Sequence, residues 1–97
     1  MMRLVFSTES QSDLLEIAAF IARDNPARAR SFVDELEADC ARLVDHPGIG
    51  APRPDLREGL RMLTHGRYLI FYRAEPNVVR IERVLHGARN LGPLFDQ

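Results

Sequence analysis

Lysine is absent from this chain of 97 residues, and all thirteen basic residues are arginine. A lysine base or nucleophile is therefore excluded, whereas every cation has a planar guanidinium group that can hold a carboxylate or phosphate through two hydrogen bonds. Cysteine occurs once, so neither an internal disulfide nor a thiolate metal cluster is possible. Cys40 lies at helical spacing from Leu36, Leu43 and Val44, which predicts a buried small hydrophobic residue.

Long apolar segments are also lacking. No stretch approaches the roughly 20 apolar residues of a membrane helix, and "MMRLVFSTES" has no apolar centre like that of a signal peptide. We therefore expect a cytoplasmic protein with no membrane partner.

The motifs of several enzyme classes are missing as well. The sequence has no glycine-rich phosphate loop, no HExxH, no paired cysteine ligands and no nucleophile elbow. His46, His65 and His86 have no short ligand spacing, so we expect no metal site and no cofactor. His46 stands where a helix is predicted to end and favours capping, while His65 precedes Gly66 and is predicted to be a solvated turn residue.

The charge is distributed unevenly along a chain whose length predicts one domain, residues 1–97. Residues 1–48 contain five Arg and nine Asp or Glu, a net charge of −4, and residues 49–97 contain eight Arg and five Asp or Glu, a net charge of +3. The second half is therefore a candidate surface for an acidic partner or a nucleic acid.

Apolar periodicity predicts two helices in the first half. In "STESQSDLLEIAAFIARD" the spacing of Ser10 and Asp13 fits a capping box. Asn25 and Pro26 then suit the cap and first position of a second helix, which "DHPGIG" ends. The turn between the two helices is so short that we expect an antiparallel helical hairpin.

Strand patterns occupy the rest of the chain. The segments "RLVFS", "LRMLT", "RYLIFYR" and "NVVRIERVLH" predict four strands, and "NLGPLF" predicts a closing turn with Leu94 and Phe95 against the sheet. The predicted fold class is α+β with the order β-α-α-β-β-β. In this fold the helical hairpin packs on a twisted antiparallel sheet, and the first strand is an added edge.

One candidate site lies in these later strands: Arg61, Arg67, Arg73, Arg80, Arg83, His86 and Arg89. These arginines could form a basic sheet face that binds an anion, with Tyr68 or Tyr72 stacking on a nucleic acid base. They could equally be the solvated face of an antiparallel sheet. Without a bulge, strand alternation places Arg83 and His86 on opposite faces. A metal-free ribonuclease needs a base, an acid and cations. The second proton carrier beside His86 would be Tyr68, Tyr72, Glu82 or another histidine, and the sequence places none of them beside it.

The chain resembles the ParE toxins of type II toxin–antitoxin pairs, within the RelE/ParE superfamily. The resemblance runs from "DLLEIAAFIARDNPARARSF" through "RPDLREGLR" and "YLIFYR" to "RVLHGARNL". It implies a growth-inhibiting toxin, associated with plasmid stabilisation, that poisons DNA gyrase without being an enzyme. It also implies hetero-oligomers with a ParD-like antitoxin, which binds the toxin through an acidic C-terminal segment and alone contacts operator DNA. Partner-binding residues would then be Arg61, Arg67, Tyr68, Arg73, Arg83 and Arg89, with no catalytic residue.

Two alternatives remain open. The RelE branch cleaves mRNA in the ribosome. If this chain had the same activity, His86 would transfer the proton, and Arg83 and Arg61 would bind the phosphate. The absence of lysine and of a terminal tyrosine departs from the RelE pattern, although some RNA-cleaving relatives carry a histidine at the position of His86. The chain could also be an inactive toxin that retains only antitoxin binding.

Overall fold

Two long helices and a five-stranded sheet account for most of the computed structural model, which describes residues 2–95. Met1, Asp96 and Gln97, the outermost residues of the predicted domain, lie outside the described residues. The elements are β1 (Arg3–Phe6), α1 (Thr8–Ala22), α2 (Pro26–Asp45), β2 (Ala51–Pro52), β3 (Arg61–His65), β4 (Tyr68–Glu75), β5 (Val78–His86) and the short α3 (Gly92–Phe95). Within residues 2–95 no helix is both long and apolar enough to cross a bilayer.

Helix α1 begins three residues earlier than the sequence predicts. Its N-cap is Ser7, whose Oγ accepts a hydrogen bond from the Ser10 backbone N–H at 3.0 Å and donates one to the Glu82 carbonyl at 2.7 Å. The predicted capping box of Ser10 and Asp13 is therefore wrong. Ser10 lies buried inside the first turns, and Asp13 points at the sheet.

Helix α2 begins and ends as predicted. Asn25 caps it by accepting from the Arg28 N–H at 3.0 Å, Pro26 occupies the first helical position, and His46 is the C-cap. Its buried residues recur every three or four positions, which gives one apolar face toward the sheet: Ala29, Phe32, Leu36, Cys40 and Leu43. Burial raises the pKa of the Cys40 thiol to about 12, so this cysteine packs as a hydrophobic residue, as predicted.

The sheet has the strand order β1-β5-β4-β3-β2. Two tight turns join β3 to β4 and β4 to β5 as antiparallel neighbours, and Gly66 supplies the left-handed backbone of the first turn with a φ of +58°. The predicted α+β architecture is confirmed, with β1 at an edge. Two features differ from the predicted antiparallel sheet. Strand β1 pairs parallel to β5, and the two-residue strand β2 extends the other edge.

A β-bulge interrupts β5. Phe71 of β4 lies opposite Arg83, whereas the next residue, Tyr72, lies opposite Ile81, so Glu82 has no partner across the ladder. The extra residue reverses the alternation of side chains, which is why Ile81 and Val84 both pack beneath the helices although they are three residues apart.

Each face of β4 belongs to a separate hydrophobic cluster, as its alternating pattern predicts. Ile70 and Tyr72 pack with Leu36 and Leu43 beneath the helical hairpin. Phe71, on the other face, packs with Leu60, Leu85 and Phe95, and its ring centroid lies 4.8 Å from that of Phe95. The closing turn therefore covers the second face through Phe95, as expected.

Candidate functional site

A groove runs along the side of the molecule where the end of α1 meets the last residues of the sheet. One part has a volume of about 400 Å³, and an adjoining hollow measures about 160 Å³. Both are lined by Phe20, Tyr68 and His86, and we call this surface the Phe20 groove. Phe20 is 65% exposed, which is unusual for so large an apolar side chain and marks the groove as a candidate interface.

Aromatic contacts build the floor of the Phe20 groove. The Tyr68 ring lies 5.4 Å from Phe32 of α2 and meets the His86 ring edge-on at 5.2 Å, measured between ring centroids. Strand pairing fixes this arrangement because Tyr68 at the start of β4 is directly opposite His86 at the end of β5. Gly87 then closes the sheet by donating its N–H to the Arg67 carbonyl at 2.8 Å.

Three arginines from separate parts of the chain surround this floor. Arg28 from the start of α2 places its guanidinium 5.0 Å from the centroid of the Phe32 ring, and it also pairs with Glu35 at 2.6 Å. Arg67 lies in the turn before β4, and Arg89 follows β5. Arg67 and Arg89 are exposed, so their charges are available to a partner.

His86 has one free ring nitrogen for chemistry. Its Nδ1 accepts a hydrogen bond from the Ala88 N–H at 3.1 Å, which leaves Nε2 as the other ring nitrogen, and the residue lines both parts of the groove. Arg83 does not join it, because the Arg83 guanidinium turns toward α1. Tyr68 is the ionisable side chain beside the His86 ring.

Arg83 instead forms a buried ion pair with Asp13. Arg83 donates from Nε and Nη2 to the two carboxylate oxygens at 2.8 and 2.9 Å, and Asp13 also accepts from the Val84 N–H at 3.0 Å. Asp13 is 4% exposed. The hydrogen bonds to Asp13 raise the pKa of Arg83, so its charge is permanent. Together with Ser7, Asp13 binds the backbone groups that flank the bulge at Glu82.

Two of the other predicted residues lie at the β2 side of the sheet. Arg61 donates to the carbonyl oxygens of Gly48 and Gly50 at 3.2 and 2.6 Å. The Tyr72 hydroxyl donates to the Pro47 carbonyl at 2.7 Å and accepts from the Gly50 N–H at 2.8 Å. Burial raises the pKa of Tyr72. Both side chains therefore hold the loop after α2.

The remaining candidates lie away from the Phe20 groove. Arg73 and Arg80 face each other on β4 and β5, and Arg80 pairs with Glu75 at 3.3 Å rather than with Glu82. Glu82 lines a polar hollow of about 290 Å³ near α1 and Phe95. The structure thus brings Arg67, Tyr68, His86 and Arg89 together and separates them from Arg61, Arg73 and Arg83.

The prediction for His65 is wrong, because this residue ends β3 rather than lying free in a turn. Its Nδ1 lies 2.6 Å from Asp39 and its Nε2 lies 3.1 Å from Glu35, both on α2. Burial lowers the pKa of His65, but the hydrogen bonds to Asp39 and Glu35 outweigh it, so the net shift is upward. Both ring nitrogens are occupied, and no cluster within residues 2–95 has the ligands to hold a metal ion.

A family model of the ParE toxin of the type II toxin–antitoxin system parDE matches residues 4–91. The chain belongs to the ParE toxin family. Among curated relatives, Toxin ParE1 of Caulobacter vibrioides is 34% identical over 85 residues, which is 87% of this chain and 88% of that protein. Toxin ParE3 of the same organism is 29% identical over 90 residues, covering 92% and 90% of the two chains.

Solved structures show the same ParE fold. A chain of the chromosomal ParDE toxin–antitoxin system from P. aeruginosa superposes with a TM-score of 0.76 at 24% identity, over 89% of this chain and 96% of that one. A chain of the toxin–antitoxin complex RelBE2 from Mycobacterium tuberculosis gives a TM-score of 0.60 at 26% identity, over 88% and 96%.

Phe20 and Arg28 line the Phe20 groove but were not among the predicted site residues. Phe20 falls outside the stripe formed by Leu14, Ile17 and Ile21, and a large apolar residue off a helical stripe is the signal that could have revealed it. Arg28 had no signal of its own, because only the helical hairpin brings the start of α2 next to the end of β5.

Proposed function

We propose that this ParE-family chain is a growth-inhibiting toxin that poisons DNA gyrase and is neutralised by a ParD-like antitoxin. The antitoxin places its acidic C-terminal segment in the Phe20 groove, and toxin and antitoxin form cytoplasmic hetero-oligomers. Operator DNA is contacted through the antitoxin, and a role in plasmid stabilisation follows from neutralisation by a partner. This assignment rests on membership of the family and on the character of the groove.

The exposed ring of Phe20 is the observation that carries the proposal. Interfaces have an apolar centre and a polar rim, and buried aromatic residues supply much of their binding energy. Phe20, Tyr68 and Phe32 provide such a centre. Arg67 and Arg89 at its rim complement an acidic segment, which would neutralise their charge.

The six residues predicted to bind the partner divide into three groups under this proposal. Arg67, Tyr68 and Arg89 line the Phe20 groove and contact the antitoxin directly. Arg61 and Arg83 use their guanidinium groups within the toxin: Arg61 holds the loop after α2, and Arg83 binds Asp13, which lines the groove. Arg73 lies on the opposite face of the sheet and belongs to a separate surface.

A pair of matched variants tests the role of the groove. Phe20→Ser should weaken binding of the cognate antitoxin by about 30-fold or more, because truncating a central aromatic anchor costs about 2 kcal/mol or more. Leu15→Ser is the control, since Leu15 is 73% exposed on the same helix but does not line the groove. Equal loss in both variants, measured by isothermal titration calorimetry, would place the antitoxin elsewhere.

The target requires a separate experiment. Purified toxin should increase the amount of cleaved DNA trapped by gyrase on supercoiled plasmid and should leave mRNA intact in a translation extract. Unchanged cleavage by gyrase would remove gyrase from the proposal. It would leave the antitoxin-binding groove unaffected, because the two assays measure different partners.

Ribosome-dependent mRNA cleavage is the second candidate function. The contact between the Tyr68 and His86 rings, close to Arg67 and Arg89, favours it because it brings a second proton carrier and two cations to His86. His86→Gln would then abolish both mRNA cleavage and toxicity while the circular dichroism spectrum shows an unchanged fold. Full toxicity of His86→Gln would contradict this function.

A further inference from the structure

The face of the sheet away from the helical hairpin carries a row of arginines. In β1, Leu4 and Phe6 pack beneath the helices, so alternation places Arg3 and Val5 on the far face. In β5, Val79 and Ile81 also pack beneath the helices, so Arg80 between them lies on the far face. Arg73 of β4 joins them because its neighbour Phe71 belongs to the far cluster. We call Arg3, Arg80 and Arg73 the arginine face.

Strand register brings these cations close together. Arg73 is directly opposite Arg80, and Arg80 is directly opposite Val5, the neighbour of Arg3 on its face. With strands about 4.8 Å apart, the three arginines are spread over about 10 Å. Like charges directly opposite each other in a sheet are destabilising, so this arrangement lowers the stability of the unliganded protein.

The protein itself offsets little of this charge. Glu75 pairs with Arg80 at 3.3 Å, but the two side chains are 42% and 38% exposed, and such a surface ion pair contributes little. The Arg73 guanidinium lies beside Gly59, close enough that a Cβ atom at this position would be 3.5 Å from Arg73 Nη2. No carboxylate within residues 2–95 forms a salt bridge with Arg73. The four side chains Arg3, Arg73, Arg80 and Glu75 together carry a net charge of +2.

We propose that the arginine face binds the phosphate backbone of duplex DNA. Each guanidinium can hold a phosphate through two hydrogen bonds, and three of them on adjacent strands can reach several phosphates at once. This surface is distinct from the Phe20 groove, because the groove lies on the helical side of the sheet. The proposal stands whether or not gyrase is the target of the toxin.

The composition of the arginine face favours duplex DNA over other polyanions. A protein partner would need an apolar or aromatic centre, yet within residues 2–95 the strand register places only Val5 and Val78 directly beside these arginines. Single-stranded nucleic acid is bound through aromatic side chains that stack on bases, and Phe71, the aromatic residue on this side of β4, is buried under Phe95. A duplex backbone needs neither feature.

The test measures binding of a short fluorescein-labelled duplex to the full-length toxin by fluorescence anisotropy at two salt concentrations. Three phosphate contacts predict that affinity falls about 40-fold between about 50 and 200 mM salt, since the logarithmic slope is about −0.9 per phosphate. In Arg73→Gln/Arg80→Gln one phosphate contact remains, so the affinity should fall only about threefold between the two salt concentrations. At the lower salt concentration, this variant should bind at least about tenfold more weakly than the parent.

The control removes the same charge from the helical side. Arg23, the C-cap residue of α1, and Arg30 of α2 are exposed, and Arg23→Gln/Arg30→Gln should keep the affinity of the parent within about twofold. Equal weakening in both double variants would show an effect of net charge alone and overturn the proposal. So would the absence of duplex binding at the lower salt, or equally effective displacement of the duplex by polyglutamate, which would indicate an acidic protein segment.

Discussion

Within residues 2–95, ionic contacts join the helical hairpin to the sheet at two places. The two places differ in burial and in the cation, which is arginine at one and histidine at the other. Asp13 of α1 binds Arg83 of β5 through two hydrogen bonds, and its side chain is almost completely buried. At the other end, His65 of β3 lies between Asp39 and Glu35 of α2, with 22% of its side chain exposed.

This difference determines which contact responds to pH. A guanidinium keeps its charge throughout the range in which proteins fold, whereas an imidazole loses its proton near neutrality. The attachment of α1 therefore depends on burial and geometry, and the attachment of α2 depends also on protonation of His65. Four predictions, in order of decreasing effect, test this contrast.

Removing the buried carboxylate should have the largest effect. Asp13→Ala leaves Arg83 without its partner and the Val84 N–H without its acceptor, so we expect a loss of about 3–5 kcal/mol in the free energy of unfolding. Urea denaturation followed by circular dichroism measures it. The control Glu16→Ala removes an exposed carboxylate from the same helix and should change stability by less than about 0.5 kcal/mol.

An uncharged contact should have an intermediate effect. Tyr72→Phe removes the hydroxyl that binds the Pro47 carbonyl and the buried Gly50 N–H, so we expect a loss of about 1–3 kcal/mol. Tyr68→Phe is the matched control on the same strand and the same face, with a half-exposed ring. Comparable losses in the two variants would contradict the structural role of the Tyr72 hydroxyl.

The contact through His65 should have a smaller effect that depends on pH. Its folded pKa is raised above the unfolded value, so its contribution is complete below the unfolded pKa and disappears as the pH rises through the folded pKa. At pH about 5.5, below the unfolded pKa, His65→Gln should cost about 1 kcal/mol. At pH about 8.5 the two proteins should differ much less in unfolding free energy. A difference that stays constant with pH would contradict ionic binding.

The outermost carboxylate should have the smallest effect. Glu35 is half-exposed and shared between Arg28 and His65, and the hydrogen bonds to Arg28 first and to His65 second lower its pKa. Glu35→Gln should therefore destabilise the protein less than Asp39→Asn, because Asp39 lies closer to His65 and is more buried. Thermal unfolding at pH about 6 compares the two, and the reverse order would show that Glu35 is the main partner.

Much of this fold is predictable from local patterns. Asn25 and Pro26 specify the start of α2 by cap chemistry, and the alternation in "RYLIFYR" separates the two clusters on either side of β4. These features depend on residues close together in sequence. The architecture follows from them because two amphipathic helices and alternating strands have few ways to bury their apolar faces.

The features that escaped prediction depend on distant residues. Asp13 looked like a capping residue because its partner, Arg83, is 70 positions away. His65 looked like a turn residue because both of its carboxylate partners are on α2. The sequence identified four candidates that lie in the groove: Arg67, Tyr68, His86 and Arg89. Their proximity to Phe20 could not be predicted, because it depends on how the helical hairpin packs on the sheet.

The bulge at Glu82 acts like a frameshift in the side-chain pattern of β5. Before it, odd-numbered residues such as Val79 and Ile81 point to the helices, and after it the even-numbered Val84 does so. If every residue of β5 paired without this bulge, the strand would keep one uniform frame and Leu85 and His86 would exchange faces. The chain would then place an apolar residue at the mouth of the groove and a histidine against Phe71. One unpaired residue thus lets a single strand meet two different sets of packing requirements along its length.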